Sequence, residues 1–298
     1  MYTQFFGNYL LSNGYVTKKD LLSAMQRQSD CHLKLGTLAI HAGYMTAKEV
    51  DDTVIQQTHQ DRKFGELAVE RGYLTEEQVT ELLSSQKPSF LSLGQILIDD
   101  GILNNIDFEK IMYDYHAKNG MEGKEDLAVE QQEIIHQMFS NFFEESETSI
   151  SHNGNIYIEL LFNDFIRFIG DVFTPLSIEE VPDAPVSCCV KQEVHGEYAI
   201  NTYISMDEAT AIEFASRYAN EEFESYDEFV KAALEDFLNL QNGLFTVNIS
   251  NDSSTELTLS APEQIEEGFL SFTPDAIHIP ILYSFGIMDV YIEPVKIQ

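Results

Sequence analysis

Asp236 and Asn239 are a carboxylate and a carboxamide three residues apart, spaced to act together on one face of a helix. They lie in the run Ala232-Ala233-Leu234-Glu235-Asp236-Phe237-Leu238-Asn239-Leu240-Gln241-Asn242-Gly243. Residues three apart on a helix are neighbours on its surface. Apolar Ala233, Phe237 and Leu240 recur at helical spacing, which predicts a buried stripe with Asp236 and Asn239 roughly opposite. Gly243 is expected to stop the helix just past its last turn. Pro262 stands 23 residues beyond Asn239, after a hairpin-like segment. A carboxylate and a carboxamide displayed together make a surface for a partner to meet.

This spacing resembles the CheC/CheX/FliY family of chemotaxis phosphatases. Their pattern is an acid or Ser, a Glu four on, an Asn three further, and a Pro 23 beyond the Asn. Asn239, Gly243 and Pro262 fall in place, over roughly Tyr157 to Gln298. Asp236 stands where the family has Glu, and Ala232 where it has Asp or Ser. The resemblance implies a protein substrate, the aspartyl phosphate of a phosphorylated CheY-like receiver. Hydrolysis there needs a water in line with phosphorus and compensation of charge on the phosphoryl oxygens. Asn239 would orient the water and Asp236 would dock against the receiver's lysine. The receiver brings its own Mg, so no cofactor of this chain is expected. Pro262 would shape the fold rather than react. Asp is one methylene shorter than Glu, and a shortfall of ~1 Å costs on the order of a hundredfold. Glu235 points about 100° away around the helix and is no substitute. The family also implies a homodimer. Two other readings stay open: a module that binds receivers without hydrolysing them, and a cyclic-di-GMP sensor with a scaffold domain.

The nucleotide reading comes from the first 115 residues. Gly7, Gly36, Gly65 and Gly94 are 29 apart, as are Gly14, Gly43, Gly72 and Gly101. A fixed period of this length marks a repeat architecture. Each copy reads as two short helices, the first ending at the second Gly, where a left-handed cap costs little. Thr17/Asp20, Thr46/Glu49 and Thr75/Gln78 are spaced as capping boxes for the second helix, and Asn104/Asp107 takes that place in copy four. The pattern resembles the MshEN module, the N-terminal domain of type II secretion and type IV pilus ATPases, which binds cyclic-di-GMP through Arg-Leu-Gly motifs ending in Gln. Copies two and three match best: Lys34, Leu35, Gly36, Gly43 and Gln57, then Lys63, Phe64, Gly65, Gly72 and Gln86. Lys replaces the motif's Arg, which matters where planar, bidentate contact is needed. No ATPase phosphate loop follows.

The remaining expectations concern architecture. Net charge is −33, unevenly spread: −6 over Met1–Tyr115 and −27 beyond. That argues against nucleic acid and anionic membrane as partners and suggests two modules. Three cysteines, with Cys188 and Cys189 adjacent, fit a reducing cytoplasm. No run approaches the length of a membrane span. The predicted fold is α+β in two modules: helical repeats over 1–115, a linker with one helix over 116–155, and a CheX-like domain with an antiparallel sheet over 156–298. Ser146–Asn155 closes the linker; within the last domain, Leu160–Phe173 reads as helix and Leu244–Ser250 as strand. Cys188 and Cys189 should face opposite sides of their strand.

Overall fold

The computed structural model describes residues 2–85, 89–119, 137–144, 150–180, 183–253 and 255–295. The fold is α+β, and packing divides it into two units: Tyr9–Gln137, and Thr3–Asn8 together with Met138–Gln298.

Helices α1 (Tyr2–Ser12), α2 (Lys18–Gln26), α3 (Leu35–His41), α4 (Ala47–Gln57), α5 (Phe64–Glu70), α6 (Glu76–Ser84), α7 (Ser89–Asp99) and α8 (Asn105–Lys118) form the four copies. Their recurring letters have local physical causes. Thr17, Thr46 and Thr75 each close a complete capping box, and the Asn104 side chain accepts from Asp107 N–H. Gly14, Gly43, Gly72 and Gly101 all adopt left-handed φ of 67–74° where the first helix of each copy ends. The other glycine of each copy serves close packing. A Cβ on Gly36 would lie 2.7 Å from Val50, and one on Gly94 would collide with the Phe108 ring. Copies two and three also pack reciprocally: Leu35 sits against Gly65, and Phe64 against Gly36.

The second unit contains a helix at 137–144 (α9), then α10 (His152–Asp164), which widens into a π-helical turn at Phe165–Ile169. Strands β1 (Phe173–Pro175), β2 (Glu179–Glu180), β3 (Asp183–His195) and β4 (Ile200–Met206) precede α11 (Glu208–Ala219) and α12 (Glu228–Ser253). Strands β5 (Thr258–Leu259), β6 (Glu263–Ser271), β7 (Ile277–Tyr283) and β8 (Gly286–Pro294) close the chain. The antiparallel sheet runs β1-β7-β8-β4-β3-β5, with β6 also on β3 and β2 also on β7. Helices α11 and α12 pack on β3 and on each other. Phe165, Phe173, Phe214, Phe237 and Tyr283 fill the core beneath them, Phe165 stacking on Phe237 at 5.7 Å. Each such ring contributes about 1.5–3 kcal/mol by leaving water. Phe5 of α1 packs in this unit, its ring 5.3 Å from Phe139 and 6.1 Å from Phe162.

Several expectations are corrected. Gly243 does not stop its helix: α12 runs ten residues further, to Ser253, so the expected strand at Leu244–Ser250 is helix. Phe245 and Ile249 bury that extension one turn apart. Helix α10 begins at His152 with Ser151 as its cap, inside the expected linker, and Phe173 lies in β1. Strand β6 was not expected. Cys188 and Cys189 are both buried and free. Cys188 has a left-handed φ of 42° and breaks the alternation of β3. Ala184 and Val186 precede this kink and Cys189 follows it, yet all three share one cluster with Tyr203, Phe272 and Tyr291. Gln192 then turns toward α12.

Candidate functional site

Helix α12 carries the site. Its buried stripe is Val230, Leu234, Phe237, Leu238, Gln241, Asn242, Phe245 and Ile249. This is rotated from the Ala233–Phe237–Leu240 stripe expected from sequence, since Ala233 and Leu240 are only half-buried. Asp236 and Asn239 are both exposed. The structure therefore places the two side chains on adjacent positions of an open helix face.

Each is held by a residue outside the sequence motif. Tyr218 of α11 donates its hydroxyl to Asp236 Oδ2 at 2.7 Å. Its ring packs on Phe237 at 5.6 Å and on Phe168 of the π turn at 5.7 Å. Burial, followed by the bond to Asp236, pushes the Tyr218 hydroxyl far above its usual range, so it stays a donor. Asp164 lies nearby, at the junction where α10 becomes the π turn, and its charge adds to the upward push on Tyr218. Asp164 is 5% exposed, and its Oδ2 has no partner among the described residues. Burial raises its carboxyl to about 6, against a smaller lowering effect of Arg167.

Asn239 Oδ1 accepts from Gln192 Nε2 of β3 at 2.8 Å. Gln192 is 1% exposed, and its Nε2 also donates to the Ser260 carbonyl at 2.9 Å. Its Oε1 accepts from Asn242 Nδ2 at 2.8 Å. Asn242 also donates to Thr202 Oγ1 at 2.8 Å and accepts from the Tyr157 hydroxyl at 3.0 Å. A chain of satisfied amides thus runs from the core to the helix surface. Fully paired networks of this kind hold side chains in single orientations. Pro262 is half-buried two residues after Ser260. It restricts Ala261 to extended backbone, on the segment that presents the Ser260 carbonyl to Gln192. Gly243 is a half-buried position inside α12, where an added Cβ would meet nothing within 4 Å.

Sequence reasoning missed Gln192, Tyr218, Asn242 and Thr202. One signal was present: Gln192 occupies an inward position between Val190 and Val194 of a strand, where an apolar residue is the default.

Of the nucleotide candidates, the structure brings together Leu35, Gly36, Phe64 and Gly65, in the reciprocal packing described above. Lys34 is exposed, with its ammonium 2.6 Å from Asp99. Lys63 is exposed. Gln57 donates to the Arg62 carbonyl at 3.1 Å. Gly43 and Gly72 are helix-ending glycines, and Gln86 lies outside the described residues. A cavity of about 460 Å³ beside Gly65 is lined by Arg62, Glu66, Glu70 and Glu76 among others. Arg62 is paired with Glu66 and Glu70. Among the described residues no cluster of metal-ligating side chains occurs, and no helix is long and apolar enough to cross a membrane.

No protein-family model matches the chain, and no curated protein matches it. Solved structures similar to it include a CheC-like superfamily protein from Shewanella sp. PV-4, at 17% identity, covering 49% of this chain and 100% of that one, with TM-score 0.44. The chemotaxis protein CheX from Vibrio vulnificus is similar at 16% identity over 49% of this chain and 100% of its own, TM-score 0.43. A CheX–CheY–BeF3–Mg complex from Borrelia burgdorferi includes a chain similar at 18% identity over 47% and 96%, TM-score 0.36.

Proposed function

We propose that the second unit is a phosphatase for the aspartyl phosphate of CheY-like receiver domains, with the N-terminal repeats as a regulatory module. The observation that carries this reading is the side-by-side exposure of Asp236 and Asn239 on α12, each fixed in place from beneath or beside the helix. Such a pair offers a carboxylate for the receiver's lysine and a carboxamide for the attacking water. In the reaction, the water oxygen forms a bond to phosphorus while the bond to the aspartyl oxygen breaks. The receiver's aspartate leaves as carboxylate, and the water's proton passes to phosphate or solvent. Nothing in this chain needs to become covalently modified. Its contribution is positioning, which converts geometry directly into rate. The receiver supplies its own metal and lysine.

The test is decay of aspartyl phosphate on receiver domains mixed with the full chain. Acceleration over each receiver alone supports the reading. A lifetime unchanged by the chain on every receiver overturns it.

One observation favours a second reading, a module that binds receivers without hydrolysing them. Asp236 is shorter than the Glu of the family pattern, and its carboxylate is already engaged by Tyr218. Replacing Asp236 with Glu separates the two: a rise in turnover marks an enzyme limited by reach, and unchanged binding without turnover marks a binder. Cyclic-di-GMP binding ranks below both. Lys34 is paired with Asp99, and the glutamates beside Gly65 face any anion with like charge. Titration of cyclic-di-GMP against the full chain and a Lys34→Ala/Lys63→Ala variant checks it.

A further inference from the structure

We infer that Gln192 sets the polarity of the Asn239 carboxamide, so that Asn239 turns its Nδ2–H donors toward a partner; the catalytic consequence rests on the phosphatase reading above.

The sense of each amide follows from groups that cannot reverse roles. A main-chain carbonyl only accepts. The Gln192 atom 2.9 Å from the Ser260 carbonyl is therefore Nε2. That leaves Oε1 facing Asn242, so the Asn242 atom 2.8 Å away is Nδ2. A second carbonyl gives the same answer independently. Thr202 donates its hydroxyl hydrogen to the Gln192 main-chain carbonyl at 3.1 Å. Its oxygen then only has acceptor capacity left for Asn242, which again must offer Nδ2, at 2.8 Å. Tyr157 completes the chain by donating to Asn242 Oδ1 at 3.0 Å. Tyr157, Gln192, Thr202 and Asn242 are all at most 1% exposed, so water does not compete for these bonds. With Gln192 Nε2 pointing at Asn239 from 2.8 Å, the facing Asn239 atom is Oδ1. The reversed amide would set two donors against each other.

Asn239 is therefore a donor toward anything that docks on α12. Its outward N–H can meet a phosphoryl oxygen, or one lone pair of a water whose other lone pair points at phosphorus. It takes no proton from that water. Gln192 touches neither substrate nor water and acts as a positioning residue.

Side-chain amide hydrogen exchange in the full chain, read by NMR, tests the orientation without any receiver. The expected result is slow exchange of the Gln192 amide protons and exchange about a hundredfold faster or more at Asn239. Protected Asn239 amide protons beside freely exchanging Gln192 protons would overturn the assignment. Kinetics test the consequence. Gln192→Met, checked for folding by its thermal transition, removes the donor; kcat on a phosphorylated receiver should fall about tenfold or more while KM stays within about twofold. Gln192→Glu offers only acceptors and should turn the Asn239 amide around, exposing Oδ1, with a similar loss in kcat. A folded Gln192→Met protein with wild-type kcat overturns the positioning role. Wild-type protein that shows the expected exchange pattern but no turnover overturns the phosphatase reading and leaves the orientation standing.

Discussion

In the N-terminal copies, recurring polar residues find partners within three positions of themselves: Thr17 with Asp20, Thr46 with Glu49, Thr75 with Gln78. On α12 the partners come from far along the chain. Asn239 is held by Gln192, 47 residues earlier, and Asp236 by Tyr218, 18 residues earlier. The glycines of the repeats are likewise accounted for by packing or by left-handed φ. Gly243, by contrast, has open space and an ordinary helical backbone. Residues whose partners are local explain themselves through folding and leave little for a ligand. The repeats also hold long-range pairs, but there opposite charges close on each other, as Lys34 does with Asp99; Asp236 and Asn239 are held by neutral groups and stay exposed, with hydrogen-bonding capacity left for something outside the chain.

Breaking the long-range network should have the largest effect. Asn242→Ala leaves Gln192 Oε1 and the Tyr157 hydroxyl buried without their partner, and should cost about 3 kcal/mol in denaturant unfolding. It should also free Gln192 and reduce turnover. A variant that loses stability but keeps full turnover would separate the network from the site. The repeats should show the opposite pairing, a cost to folding with no effect on receivers. Gly94→Ala forces Phe108 to move and should cost about 2 kcal/mol. Gly43→Ala meets no atom within 4 Å and pays only for its positive φ, about 1 kcal/mol.

Those glycines show what was legible in the sequence. Caps, left-handed helix ends and the repeat period depend on residues a few positions apart, so the letters carry them. The path of α12 past Gly243 did not show. Its buried stripe passes through Gln241 and Asn242, polar residues that interrupt the apolar pattern because the core offers them partners: Gln241 Nε2 donates to the Tyr157 carbonyl, and Asn242 is bonded at both ends of its amide. The kink at Cys188 exchanges the faces of β3 midway, which no alternation rule anticipates. Asp236 and Asn239 were legible as a spaced pair. Tyr218 and Gln192 were not, because nothing in sequence links positions joined only by the folded sheet and helices.

Two titrations sharpen the comparison further. Asp164 is raised to about 6, so the fold favours its neutral form. Its contribution is fully present below the unfolded carboxylate range and is lost as pH rises through about 6. Asp164→Asn should therefore stabilise the chain above pH 6, on the order of 2 kcal/mol, with no gain near pH 3. In the repeats, burial and the neighbouring His116 lower His41 to about 4. The fold favours neutral His41, so stability is present above about pH 6.5 and is lost as pH falls toward 4. His41→Phe should flatten that acid slope, by roughly 1–2 kcal/mol at pH 4.5. Chemical denaturation of each variant across pH reads both effects. Identical pH profiles for wild type and variant would contradict the assigned shifts.

The most direct measurement is the lifetime of aspartyl phosphate on a cognate receiver with wild-type protein and with Asn239→Ala, receiver binding being measured in the same samples. An amide that works by orienting water predicts acceleration by wild type, loss of about a hundredfold in the variant, and unchanged binding. Equal lifetimes with wild type and variant, at equal binding, would contradict it.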